Sequence, residues 1–488
     1  MISRALGAIA LVGAMVVAPA SAAEDLTPVP AVVHLHSDLS TGQYTIEELA
    51  EMAERHAVGA LLLSENYLNR VEYGLPPFRA LTRVSQDSPS VHDRLGDYLE
   101  RVSRARAARP GVLLLPGVEV MPHYQWSGSP LTLELLVSNT QKNLLVWGLT
   151  DRATLAAIPV IGNGDGGQYS LQSLLDALPI LLLVPGVALL LIKRRRRQRV
   201  GAAVIVVPRR QWIGGLVLCA VALLALVRGW PFTNSAYSAY GDHGVDPHQA
   251  VIDFVERHGG AAVWSFPEAR DVGTHNVGPV RVTWSTEPYP DDLLRTFRYT
   301  AFGAVYEETT RVERPGGAWD RLLQQYAAGE RSRPAWGLGE SGFHDTNAGK
   351  RLARVQTVFL VRERSEAGVL EALRNGRLYA RHRSEQTALA LSDFALTSAE
   401  ARAVSGETVR PALGALLSLS VGIDAEGAAA DLKVVLLRNG DVAEAWTGGT
   451  PFRATYRETW DGRPTVFRLE ARGSGGRLLS SPIFVRRS

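Results

Sequence analysis

Val33-His34-Leu35-His36-Ser37-Asp38 is an apolar, strand-like run that ends in two histidines one residue apart. On a strand, residues i and i+2 point to the same side, so His34 and His36 present two imidazoles to one point. Neutral imidazole is a ligand for zinc, iron and manganese-type ions. A His-x-His pair also arises from chance alternation, so its weight comes from residues further along the chain. Three later stretches bring polar groups to the ends of apolar runs: Gly117-Val118-Glu119, Trp264-Ser265-Phe266-Pro267-Glu268 and Gly342-Phe343-His344.

Outward from the histidines, residues 45–56 have helical spacing, with Thr45 and Glu48 in a capping-box pattern. Residues 60–64 read as a buried strand, 94–108 as a helix, and 112–120 as a strand broken at Pro116-Gly117. Strands are expected at 131–137, 144–148, 261–266, 304–307, 336–339 and 355–361, and helices at 247–258, 319–328 and 366–375. Strands alternating with helices predict a parallel α/β arrangement closing as a barrel. In parallel barrels the chemistry sits on the rim at the C-terminal ends of the strands. His34, His36, Glu65, Glu119 and His344 all fall at strand ends and would meet there. From about Thr387, short strand-like segments separated by Gly, Asp and Asn turns predict a small β-sandwich, with a structural or docking role.

The 488 residues imply two or three units. A formal charge of only +3 gives no reason to expect a nucleic-acid partner. Residues 1–22 read as a secretory signal: Arg4, an apolar stretch at 5–17, and the small-residue site Ala20-Ser21-Ala22. Two further apolar stretches, 178–192 and 212–227, flank a segment containing Lys193-Arg194-Arg195-Arg196-Arg197. They read as a two-helix transmembrane hairpin. The positive-inside tendency puts the basic loop in the cytoplasm. The expected location is therefore a bacterial inner membrane, with the soluble parts in the periplasm or extracellular space. Cys219 is the single cysteine, so no internal disulfide forms; it reads as a small lipid-facing or helix-packing residue.

Taken together, His34-Leu35-His36-Ser37, Gly117-Val118-Glu119-Val120, the run from Gly260 to Ala269, Gly339-Glu340-Ser341-Gly342-Phe343-His344 and Asn375-Gly376-Arg377-Leu378-Tyr379 resemble the polymerase and histidinol phosphatase (PHP) superfamily. The resemblance covers roughly residues 30 to 385, interrupted by the hairpin. It implies a distorted (β/α)7 barrel that binds up to three divalent ions and hydrolyses phosphate esters with a metal-activated hydroxide. Carried over by position, it implies ligand roles for His34, His36, Glu119 and His344, with Glu65 as a further donor.

The chain departs from the family's pattern at several ligands. Ser64-Glu65-Asn66 stands where the family has Thr-Asp-His, and Asn143 where a later His precedes Leu-Leu. Ser265-Phe266-Pro267 replaces Ala-His-Pro, Gly342 replaces the Asp of the last Asp-x-His, and Ser40-Thr41-Gly42 replaces Ser-Asp-Gly. The resemblance then implies fewer than three ions, of zinc, manganese or iron. Two histidines and a carboxylate are enough for one open site.

The expected organisation is a signal peptide (1–22), a first barrel part (23–172), the hairpin (173–230), a second barrel part (231–386) and the β-sandwich (387–488). Two functions fit it. One is a membrane-tethered, metal-dependent hydrolase acting on a small-molecule or phosphoester substrate, or on related esters and amides. The other is a catalytically inactive barrel that binds a ligand or partner outside the membrane. Signalling across the membrane is disfavoured because the loop is too short for an output domain. His92, His123, His243, His248, His258, His275 and His382 lack ligand spacing and read mostly as surface residues, with His123-Tyr124 and Asp242-His243 as candidates for a pocket mouth. Asp345 reads either as an acceptor holding the His344 ring or as the cap of a turn.

Overall fold

Thr27–Leu35 forms the strand around which the first sheet is built, because its Val- and Ala-rich run is buried on both faces. A computed structural model describes residues 26–487 apart from 77, 165, 166, 210, 309, 348 and 400; the expected signal segment lies outside the described residues. Thr27–Leu35 pairs antiparallel with Val355–Val361 and parallel with Ala60–Leu63, which in turn pairs parallel with Leu113–Leu115. A second, six-stranded sheet runs in the order Trp336–Gly339, Ala301–Val305, Ala261–Trp264, Leu144–Trp147, Gly117–Val120, Glu65–Asn66. Leu35, Val118, Trp264, Phe302 and Phe343 belong to one core, and Leu35 bridges in parallel to Phe343. The helix Ile46–Arg55 starts at a complete Thr45–Glu48 capping box and buries Ile46, Leu49, Ala50 and Ala53, one stripe of a 3.6-residue period.

The sheets are mixed rather than parallel throughout. Leu144–Trp147 runs antiparallel to both Gly117–Val120 and Ala261–Trp264. The segment between 120 and 144 contains strands and no crossover helix, and only a crossover brings a strand back parallel to its neighbour. Gln125–Ser129 and Glu134–Ser138 instead join Asp271–Val277 and Val280–Thr286 in a separate four-stranded sheet. Pro116 divides the expected strand 112–120, and its halves enter different sheets.

The strands beyond Thr387 are not a self-contained pair of sheets. Thr387–Thr397, Arg402–Val404, Leu416–Gly427 and Phe452–Thr459 form a four-stranded antiparallel sheet. Asp431–Arg438, Thr465–Gly473 and Gly476–Ser480 belong to the sheet of Thr27–Leu35, through antiparallel pairing of Gly476–Ser480 with Leu378–Arg383. That pairing covers an edge whose N–H and C=O groups would otherwise be open.

Leu171–Leu191 and Trp212–Gly229 are helices long and apolar enough to cross a membrane. The first contains a 3-10 stretch, Leu178–Leu182, around Pro179, where the missing N–H weakens α-helical bonding. The two helices touch at small residues. A Cβ on Gly186 would lie 2.7 Å from the Cys219 sulfur, so Cys219 packs between the helices. Arg194–Val200 and Ala203–Arg209 join them as an antiparallel β-hairpin that the sequence reading did not anticipate.

Candidate metal centre

His34 and His36 meet by a different route from simple strand alternation. The pairing register with Ala60–Leu63 shifts between Val33 and Leu35, and His34 has a φ of 66° in the left-handed region. For a residue with a Cβ this conformation costs about 1–2 kcal/mol. The bulge re-aims His34 toward His36, which lies just past the end of the strand, and their Nε2 atoms come within 3.0 Å. Glu119, at the third position of Gly117–Val120, sits opposite: Oε1 is 3.6 Å from His34 Nε2 and Oε2 is 3.5 Å from His36 Nε2. Ligating atoms from all three residues lie within 4.8 Å of one another. Two donors about 2.1 Å from a tetrahedral ion are about 3.4 Å apart, so this trio has the spacing of one coordination shell.

The surrounding hydrogen bonds set which atoms face that point. Glu340 Oε1 lies 2.6 Å from His34 Nδ1 and accepts its N–H. Glu340 is held in turn by the Ser265 hydroxyl at 2.6 Å and the Phe266 N–H at 2.9 Å. The Ser40 hydroxyl donates to Glu65 Oε2, which leaves its oxygen to accept from His36 Nδ1 at 3.3 Å. In their neutral forms both histidines therefore aim Nε2 lone pairs at each other and at a carboxylate. Such an arrangement needs a cation between them, a metal ion or a proton. With a proton alone, burial opposes the charge on His34, but Glu119 and Glu340 outweigh it and lift its pKa to about 9. Burial likewise opposes ionisation of Glu119, and the adjacent imidazoles overcome it and hold the carboxyl down at about 2. His36 moves the other way, lowered first by burial and then by the neighbouring histidines and Lys350. The donor set fits one divalent ion.

Glu65 and His344 lie beside this trio. Glu65 accepts from the Ser37 N–H at 2.9 Å and from Ser40, so both of its oxygens are engaged behind His36. The His344 ring stacks on His36, with centroids 4.1 Å apart, and its Nδ1 meets Thr41 Oγ1 at 3.0 Å. Asp345 caps a turn through the Asn347 N–H at 2.7 Å. Asn143 donates to Glu119 Oε1 at 2.9 Å and fixes its rotation. Asn66 donates to Thr41, at the edge of the site.

Two departures from the family's pattern turn out to be coupled. The Phe266 ring packs 5.1 Å from the His34 ring, and a Cβ on Gly342 (φ 55°) would sit 2.8 Å from that same phenyl ring. The phenyl group and the missing side chain at 342 fill one volume. Sequence reasoning missed Glu340. It sits in the stretch quoted for His344, but its role depends on Gly303 of the adjacent strand, where a Cβ would overlap Glu340 Oε2. His248, read as a surface residue, is buried: it donates from Nε2 to the Lys142 carbonyl at 3.0 Å and stacks on Trp264. His123, read as a candidate for a pocket mouth, is buried and pairs with the Ser238 carbonyl.

No family model matches this chain, and no curated protein matches it. Among solved structures, the chain is distantly similar to a two-domain protein from Bacteroides vulgatus containing a predicted PHP-like metal-dependent phosphoesterase. Identity is 14%, 91% of each chain is covered, and the TM-score is 0.36. It is also similar to an amidohydrolase from Chromobacterium violaceum with bound sulfate and no metal, at 14% identity over 66% of this chain and 89% of the other, with a TM-score of 0.28.

Proposed function

We propose that the chain is a membrane-tethered, PHP-like metal-dependent hydrolase of phosphoesters or related esters and amides, with a distorted barrel that carries one divalent ion rather than three. The observation that supports this reading most is the pair of Nε2 atoms 3.0 Å apart facing the Glu119 carboxylate, each fixed in that orientation by a buried partner. His34, His36 and Glu119 would hold the ion, with His344 and Glu65 at its margin. An ion so held supplies Lewis acidity and lowers the pKa of a coordinated water. Glu340 orients His34, Ser40 and Glu65 orient His36, and Asn143 keeps both Glu119 oxygens turned toward the histidines. The rival reading is a retired barrel that binds a ligand or partner. It is favoured by Phe266 and Gly342, which fill with packing the place where the family carries further ligands.

Metal analysis and turnover separate the two. Protein purified with zinc, manganese or iron should hold about one ion per chain and hydrolyse a generic phosphodiester or ester, and His34→Ala should lose both. One ion with no turnover across such a panel would favour the binding role. Two or three tightly held ions would contradict the single-ion reading.

A further inference from the structure

A cavity of about 470 Å³ lies where the two apolar helices meet the soluble body. Its size falls within the roughly 300–1,000 Å³ of small-ligand sites. Asp176 and Gln172 of the first helix, Arg228 and Gly229 of the second, and Arg70, Glu72, Arg79 and Arg83 are among the residues that line it. The lining thus includes four guanidinium groups and two carboxylates.

Carboxylates engage part of this charge: Glu72 is shared between Arg70 at 3.4 Å and Arg83 at 3.7 Å, Arg70 also pairs with Asp87 at 3.4 Å, and Asp176 accepts from Gln172. Arg79 and Arg228 are the lining arginines outside these pairs. Arg79 stacks 4.0 Å above the Tyr240 ring, its buried Nε without a hydrogen-bond partner among the described residues. Tyr240 is fixed in turn by its hydroxyl, which bonds the Gly74 N–H and carbonyl. The short helix Arg79–Thr82 that carries Arg79 packs against the helix Trp212–Gly229. Leu75, Phe78 and Trp230 are exposed around this junction, as expected of groups resting at a bilayer surface.

We propose that this cavity binds a net-anionic, phosphate-bearing group at the membrane surface, gripped by Arg79 and Arg228. Arginine suits the task because its planar fork bonds two phosphate oxygens at once. The phosphate comes either from the headgroup of an anionic lipid or from a soluble phosphate compound. The proposal rests on the reading of the two helices as membrane-spanning and is independent of the metal centre.

The test uses full-length protein in neutral detergent, stripped of lipid, with native mass spectrometry as the readout. The probes are dihexanoyl phosphatidylglycerol, dihexanoyl phosphatidylcholine and inorganic phosphate. The expected result is retention of phosphatidylglycerol at least about tenfold tighter than phosphatidylcholine. The double variant Arg79→Gln/Arg228→Gln should lose that tenfold preference, and Arg79→Lys/Arg228→Lys should keep part of it. Arg199→Gln, in the loop beyond the far ends of the helices, should leave it unchanged. Inorganic phosphate held as tightly as phosphatidylglycerol, and lost in the same double variant, supports the site with a soluble ligand as its source. Equal retention of both lipids together with no retention of inorganic phosphate, or a double variant that folds with an unchanged thermal midpoint and binds like the parent, overturns the proposal. Recovery of the protein in aqueous supernatant without detergent would instead sink the membrane reading beneath it.

Discussion

Glu340 Oε1 receives both the His34 Nδ1–H and the Ser265 hydroxyl, so one buried carboxylate sets the tautomer of the His34 ring. Carboxylate partners of this kind typically change metal affinity about 10- to 100-fold. Glu340→Gln should therefore weaken ion binding by about that factor in competition with a chromophoric chelator, while His34→Ala should abolish it. A Glu340→Gln protein with parental affinity would show that His34 needs no such partner. A different imidazole gives a pH prediction. Burial, and then the Lys142 charge, lower the His248 pKa from 6.5 to about 3 in the folded protein. Below pH 6.5 the unfolded chain takes up a proton that the folded chain refuses. The contribution to stability is therefore complete above pH 6.5 and declines as the pH falls toward 3. His248→Gln, which keeps a donor for the Lys142 carbonyl, should flatten the fall in urea midpoint between about pH 7 and pH 4. The chemical identity of His34, His36 and Glu119 was visible in the sequence. The partners were not, because Glu340 and Ser265 acquire meaning only when strands far apart in sequence lie side by side.

At the scale of the element, the sequence marks some starts and breaks plainly, but not the strand directions, nor the hairpin strands Arg194–Val200, Ala203–Arg209, Asp271–Val277 and Val280–Thr286. The capping box at Thr45 and Glu48, and the apolar stripe behind it, specify the helix Ile46–Arg55 within a dozen residues. Pro116 visibly breaks a strand. Nothing local to Leu144–Trp147 states that it runs antiparallel to both neighbours; toward Gly117–Val120 that arises from the missing crossover before it. The bulge at His34 was equally hidden, because alternation and bulge predict the same convergence of imidazoles. The opposing elements at Phe266 and Gly342 offer a test of coupling. Gly342→Asp should cost about 1–2 kcal/mol for a side chain at positive φ, plus the collision of its Cβ with the Phe266 ring. In a Phe266→Ala background the collision vanishes, so the same change should cost less. Chemical denaturation of the four proteins measures the difference. Strict additivity would mean that the two positions do not share a volume.

Across the whole molecule, the break in character at Thr387 was legible as composition but not as architecture. Arg468, on Thr465–Gly473, bonds Asp320 of the helix Ala318–Ala328 at 2.6 and 2.8 Å and the Glu313 carbonyl at 2.6 Å, all buried. Arg477 of Gly476–Ser480 pairs with the Glu313 carboxylate, and the same strand zips onto Leu378–Arg383. Val358 and Tyr379 pack in the same apolar cluster as Leu436, Phe467 and Leu478. Removing one partner of a buried ion pair typically costs about 3–5 kcal/mol, because the other charge is left without compensation. Arg468→Ala should therefore lower stability by about that much, and Arg468→Ala/Asp320→Ala should recover part of it. Cutting the chain after residue 386 should do more, since it uncovers the Leu378–Arg383 edge and the apolar faces of Val358 and Tyr379 together. Edges of that kind recruit other chains. Size-exclusion chromatography in detergent should show the truncated protein as aggregate, with the full chain monodisperse under the same conditions. A monodisperse truncated protein with an unchanged unfolding midpoint would mean that the C-terminal strands form an independent unit despite the shared sheet.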